Sequence, residues 1–361
     1  MKKTTGLFSA ALLFAAAGAW AQGRAQRVNF DGSGGLSADG IAQQAKTAAQ
    51  NKPAPVAAPV RPKVRVVSPS FGPRPNGKGI GTMSRHPFFG ESFSGASGNG
   101  IDYHGGPLIL GGVDVYYIWY GNWSGQAGAL AKRVLTNLAS RIGGSPYFNI
   151  NTTYYDGNGV AVTNKVAYKG STSDNYSHQT ALSDQDIQSI VAGAIGKGKL
   201  PMDSHGIYFV LTSSDVTETS GFCSQYCGWH DHGSIAGQDV KYAFIGDPDQ
   251  CPDACNAQTA TISGSTAADG MASIISHEME EATTDPDLNA WYSQKGGENA
   301  DMCAWSFGAE QKTSAGAQYN TTLGGMNYLI QQNWVNAKGG YCAQSYKAPA
   351  VPPASLVSLA R

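Results

Sequence analysis

One imidazole and three carboxylates fall within Ser276-His277-Glu278-Met279-Glu280-Glu281. These side chains hold cations or move protons. On a helix each residue advances roughly 100°, so positions four apart share a face. His277 and Glu281 would point the same way, with Glu278 about a third of a turn aside. Two convergent donors are the start of a divalent-cation site, and an adjacent carboxylate is placed to act as a general base.

The pattern resembles the zinc-peptidase helix His-Glu-x-x-His, with Glu in place of the second His. Such a site needs three protein ligands and one open position for water, whose pKa the cation lowers. His277 and Glu281 are the expected first two ligands. The third is expected from Glu298-Asn299-Ala300-Asp301-Met302, with Asp301 ahead of Glu298. Glu278 would take the proton from the activated water. A His/Glu/Asp set is hard and anionic, so it suits Zn²⁺ but also Mn²⁺, Mg²⁺ or Ca²⁺. The competing reading is a solvated acidic helix face with His277 hydrogen-bonded beside it. Against that, His277 and Glu281 share a stripe with apolar Ile274, and a buried carboxylate needs a partner.

Other constellations carry less. His230 and His232 lie in what reads as a Cys-flanked loop; they could form a second metal site or approach the first, although such a pair is commonly ordinary surface. His104, before Gly105-Gly106, could line the same cleft, or simply hydrogen-bond. Asp203, Ser204 and His205 are consecutive, which is poor geometry for a relay, and no Gly-x-Ser-x-Gly elbow exists. No glycine-rich stretch is followed by the Lys-Ser/Thr of a phosphate loop. The aromatics from Tyr116 to Trp123 could stack sugars, but aromatic strands are usually core.

The elements that must position these groups alternate. Val113–Tyr120 reads as a strand, and Ala127–Ile142 as a helix ended by Gly143-Gly144. Val160–Tyr168 reads as a strand, and Ser183-Asp184-Gln185-Asp186 as the cap of a helix running to about Ala194. Gly206–Thr212 and Val240–Ile245 read as strands, then Asp269–Thr283 as the motif helix. A C-terminal hairpin follows, with Tyr328–Trp334 as its best strand. That order predicts an α/β fold: a zincin-like mixed sheet, the motif helix, and an irregular C-terminal lobe.

Met1–Ala21 has a basic start, an apolar run and an Ala19-Trp20-Ala21 end, the form of a secretory signal peptide. Residues 22–99 are Ala/Pro/Gly-rich and without a sustained period, so they read as a disordered linker or propeptide. Residues 100–346 suit one domain, and 347–361 an unstructured tail. Lys plus Arg total 25 against 26 acids; with no basic cluster, nucleic acid is a poor partner, and no later apolar run is long enough for membrane insertion. Secretion, to an extracellular or periplasmic space, favours disulfides among the six cysteines. The expected pairing joins Cys303 to Cys342, leaving Cys223, Cys227, Cys251 and Cys255 to pair locally around the two Cys-x3-Cys loops. A structural zinc cage on those four, near His230 and His232, is the alternative, though cages more often use a two-residue spacing.

Several motifs resemble the EXORDIUM-like, phosphate-induced family of secreted proteins. They are Tyr103-His104-Gly105-Gly106-Pro107-Leu108, Val115–Gly121 with Trp123, Gly206–Ser213, Gly221-Phe222-Cys223, Cys227-Gly228-x-His230, Ile274–Glu281, Asn289-Ala290-Trp291-Tyr292 and Asp301-x-Cys303. The resemblance spans Tyr103 to Cys342. It implies an extracellular location and does not deliver a reaction. Two expectations result. The first is a secreted metal-dependent hydrolase of metallopeptidase or amide-hydrolase type, with Glu278 catalytic and His277, Glu281, Asp301 and Glu298 as metal ligands. The alternative is a non-catalytic extracellular protein that binds cell-wall polymer, protein, peptide or a receptor.

Overall fold

In the computed structural model, which describes Val66 and residues 74–83, 98–337 and 339–347, the sheet is built outward from Val113–Tyr120 (β1). Its β-branched and aromatic side chains are buried almost throughout, as an interior strand requires. Val166–Asp174 (β2) and Gly206–Thr212 (β3) flank β1, both parallel to it. Gln238–Ile245 (β5) is parallel to β3, and Gly228–Ile235 (β4) closes the sheet antiparallel to β5. The order is β2-β1-β3-β5-β4, so the sheet is mixed and the fold is α/β.

Gly125–Arg141 (α1) crosses from β1 to β2, burying Ala131, Val134, Leu135 and Leu138. Gly144, at φ 76°, lets the chain turn back after its last turn. Asp184–Gly196 (α2) opens with a capping box in which Ser183 and Asp186 satisfy each other's backbone N–H. The β1-to-β2 and β2-to-β3 crossovers step in opposite directions, so right-handed connections put α1 and α2 on opposite faces. Thr266–Thr284 (α3), capped by the Ser265 hydroxyl on Ala268 N–H, packs on α1 and against β3, β4 and β5.

Three expectations change. The strand sought at 160–168 begins at Val166, because β2 is a half-exposed edge whose polar Lys169-Gly170-Ser171-Thr172-Ser173 run reads as loop. Gly228–Ile235, expected as a loop, is a full strand. The strand expected over Tyr328–Trp334 is interrupted: Met326–Tyr328 pairs with Thr321–Leu323, and Asn333–Val335 pairs with Tyr341–Ala343. The C-terminal part is thus a set of short antiparallel pairs around α3.

The disulfides are Cys223–Cys251, Cys227–Cys255 and Cys303–Cys342. The last is the expected one. The other two tie the Cys-x3-Cys segments to each other as parallel rungs, so the zinc-cage alternative is excluded: their sulfurs are consumed in S–S bonds. The signal peptide over 1–21, most of the 22–99 linker and nearly all of the 347–361 tail lie outside the described residues. Residues 74–83, inside the expected linker, are instead built onto the domain. Cys227 N–H donates to Ile80 O at 2.8 Å, His230 N–H to Gly77 O at 2.9 Å, and Thr82 N–H to Gln225 O at 3.1 Å. This strap takes the free edge of β4, which would otherwise expose unpaired backbone groups. Among the described residues, no helix is long and apolar enough to cross a membrane.

Candidate metal centre

The second half of α3 is wedged between the sheet and the C-terminal pairs. His277, Glu278, Glu280 and Glu281 are each 0 % exposed, which removes the reading of a solvated acidic face. Burying carboxylates and imidazole requires compensation, and the four acid and base groups find it differently.

Glu280 points away from the others, into an amide coat. Asn333 Nδ2 donates to its Oε2 at 2.6 Å, and Asn299 Nδ2 donates to its backbone carbonyl at 3.3 Å. His277 and Glu281 share one face, as the helical spacing requires. His277 Nε2 lies 2.9 Å from Glu281 Oε1 and 3.5 Å from Asp301 Oδ1. Asp301 begins a 3-10 turn, Asp301–Cys303, which the Cys303–Cys342 bond anchors. Its N–H donates to Glu281 Oε1 at 3.0 Å, and its Oδ2 accepts from Glu298 N–H at 3.2 Å. His277 Nδ1 is in contact with the Gln331 side-chain amide, which fixes the ring with Nε2 facing Glu281 and Asp301.

His230 reaches the same cluster from β4. Its Nε2 is 3.2 Å from Glu298 Oε1, 3.3 Å from Glu298 Oε2 and 3.8 Å from Glu281 Oε2. Sequence reasoning left this histidine as a secondary candidate because its strand read as loop. The one signal in the sequence was Gly237; in the structure Ala236-Gly237 forms the turn, with φ of 49° and 79°. A two-residue loop with both φ values positive is a hairpin connection, and it pairs Ile235 with Gln238. The roof is Gly79 of the strap. A Cβ there would stand 2.7 Å from Glu281 Oε2 and 2.9 Å from both Glu278 oxygens. Ile80 N–H donates to Glu278 Oε1 at 3.4 Å. Gly228 plays the same part from below, where a Cβ would meet Ile274, Phe244 O and Glu278 Oε1.

The electrostatics follow from burial. Desolvation raises Glu278 and Glu298 well above the carboxylate range, and neighbouring acids add to it. Glu281 is pushed up to about 7 by burial, against the opposing pull of His277. Asp285, whose Oδ1 accepts from Asn289 and Ala290 N–H, is also raised to about 7, first by burial. Burial draws His230 down to about 3, so it is a neutral imidazole with a lone pair to give. Burial works the same way on His277, but Glu281, Asp301 and Glu278 outweigh it and hold the ring well above its usual value. A proton on His277 is thus what balances the acids when no other cation does.

These residues fit a divalent cation. Glu278 Oε2, Glu281 Oε2, Asp301 Oδ1 and His277 Nε2 are buried and make no aligned hydrogen bond. Ligand atoms of His277, Glu281 and Asp301 lie within 4.8 Å of one another, and so do those of His230, Glu278 and Glu281. Three of the expected positions (His277, Glu281, Asp301) therefore converge, Glu278 joins Glu281 in the second group, and Glu298 reaches the cluster through its contact with His230.

The remaining candidates fall elsewhere. His232, Asp239 and Asp287 also come together, but the Lys241 ammonium bridges both aspartates and already supplies the positive charge. His104 stacks on Tyr292 with ring centroids 3.6 Å apart, and its Nε2 contacts Tyr292 O at 3.1 Å; its position is explained by packing.

The phosphate-induced protein 1 conserved region matches residues 101–344. EXORDIUM-like 5 of Arabidopsis thaliana is 30% identical over 272 residues, covering 65% of this chain and 75% of that protein. EXORDIUM-like 3 of the same plant is 29% identical over 279 residues, covering 67% and 82%. PHOSPHATE-INDUCED 1 of Nicotiana tabacum is 28% identical over 155 residues, covering 40% and 47%. No solved structure matches the chain significantly. The chain belongs to the phosphate-induced protein 1 family, alongside the EXORDIUM-like proteins.

Proposed function

We propose that the protein is a secreted, non-catalytic extracellular member of this family. In this reading the buried His/carboxylate cluster holds a divalent cation, Zn²⁺ or Mn²⁺, as a structural centre. The outer surface then contacts an extracellular protein, peptide or cell-wall polymer. The supporting observation is closure: His277, Glu278 and Glu281 are 0 % exposed beneath Gly79. A hydrolytic site needs room for a substrate bond beside the base, and a methyl group at position 79 would already collide with Glu278. Bound there, the cation would neutralise carboxylates and pin α3, β4 and the 298–301 loop together. Three disulfides and the family's EXORDIUM-like relatives support the extracellular assignment.

The test is chelation combined with a digest. A lowered melting temperature after metal removal, with no casein or peptide-library cleavage by wild type or Glu278→Gln, supports the reading. Cleavage by wild type that Glu278→Gln abolishes while retaining metal would overturn it.

One observation favours a second reading, a latent metal-dependent hydrolase. Residues 77–82 run along the antiparallel edge strand β4 and over Glu278, where an extended peptide would add to the sheet. In that case Glu278 is the general base, and the strap must leave before it can act.

A further inference from the structure

Glu281 faces both histidines with different oxygens. Its Oε1 is 2.9 Å from His277 Nε2, and its Oε2 is 3.8 Å from His230 Nε2. The two ligand groups, His277/Glu281/Asp301 and His230/Glu278/Glu281, therefore meet at one carboxylate.

We propose that the centre binds two divalent cations bridged by Glu281; this deepens the structural-centre reading and rests on it. One cation is held by His277 Nε2, Glu281 Oε1 and Asp301. The other is held by His230 Nε2, Glu281 Oε2, Glu278 and Glu298. Charge is compatible with the second ion. Coordination takes each carboxylate in its ionised form, so Glu278, Glu281, Glu298 and Asp301, all nearly or wholly buried, would bring four negative charges, which two divalent cations match.

Donor chemistry agrees. Each half offers one imidazole nitrogen and at least two carboxylates, the mixed set suited to Zn²⁺ or Mn²⁺. His230 makes no hydrogen bond through Nδ1, so its Nε2 carries its whole polar interaction with the cluster. Gly79 and Gly228 keep the space around Glu278 free of side chain on both sides. On the His277 side, Gln331 Oε1 has no partner. Turning that amide about its last bond lets Oε1 accept from Nδ1–H and leaves the Nε2 lone pair for a cation.

The experiment is metal stoichiometry on the full chain, produced with its disulfides intact, stripped with chelator and dialysed against Zn²⁺ or Mn²⁺. Two equivalents per chain are expected for wild type and one for His230→Ala. The Mn²⁺ form is expected to give a spin-coupled electron paramagnetic resonance signal, which needs no variant to fold. One equivalent in wild type, or an isolated six-line Mn²⁺ signal at saturation, overturns the bridged pair while leaving the structural-centre reading intact. No bound metal in wild type overturns both. Retention of two equivalents by His230→Ala also overturns the proposal.

Discussion

Gly79 and Glu278 are in direct apposition: a Cβ on Gly79 would stand 2.9 Å from both carboxylate oxygens of Glu278. The chain therefore closes its own acidic cluster with backbone, at a place where any other residue would intrude.

Gly79→Ala is expected to destabilise the fold by about 1–3 kcal/mol, the usual cost of overpacking. The methyl must push against the two carboxylates, so weaker metal retention should accompany the loss. Urea denaturation and metal analysis of the variant check this. A stability unchanged from wild type would show that the strap does not bear on the cluster.

Deleting everything before residue 84 should lower the melting temperature, because Cys227 and His230 lose the backbone acceptors Ile80 and Gly77, and β4 becomes an open edge. The non-catalytic reading predicts that the shortened chain still cleaves nothing. Peptide cleavage gained on deletion would favour the latent hydrolase.

The Cys303–Cys342 bond anchors the turn that carries Asp301. Replacing both cysteines by serine is expected to cost roughly 2–4 kcal/mol. Metal retention should fall as well, since Asp301 loses its fixed position beside His277. Replacing Cys223 and Cys251 should lower stability with little effect on the metal. Equal metal loss in both pairs would contradict the assignment of Asp301.

Asp247, remote in sequence from the motif helix, gives a pH test. Burial pushes its pKa up to about 6, although its Oδ1 accepts from Asp249 N–H at 3.0 Å. Unfolded, it titrates near ~3.9. Between those values the folded chain holds a proton that the unfolded chain has lost, so this group's contribution falls as pH rises through about 4 to 6. Asp247→Asn keeps the cap and should raise stability at pH 7 by roughly 1–3 kcal/mol, with little change below pH 4. Denaturation midpoints at pH 4 and pH 7 decide it. An equal effect at both would assign the change to packing.

The sequence made the motif helix legible because polar groups at helical spacing followed an apolar run, and Ser183 capped its helix as the short-range pattern predicts; the motif helix itself starts at Thr266, capped by Ser265, ahead of the expected Asp269. Asp301 and Glu298 were readable as the acids of an otherwise charge-poor loop. His230 was harder. It sits on a strand whose sequence, Gly228-Trp229-His230-Asp231-His232-Gly233-Ser234-Ile235, lacks the apolar alternation of a half-buried edge, because the positions facing the acidic cluster are Gly228 and His230 rather than apolar side chains. The strap itself was unreadable: Asn76-Gly77-Lys78-Gly79 has linker composition. Its order comes from partners far along the chain, among them Glu278 and Trp305, whose indole N–H donates to Gly81 O at 2.8 Å.

The most direct measurement is metal content of the purified full chain, with its melting temperature before and after chelation. Stoichiometric Zn²⁺ or Mn²⁺ is expected, with a melting temperature that falls on chelation and recovers when the ion is restored. Negligible metal, unchanged by added Zn²⁺ or Mn²⁺, together with a melting temperature indifferent to chelator, would contradict a metal centre at His277, Glu281 and Asp301.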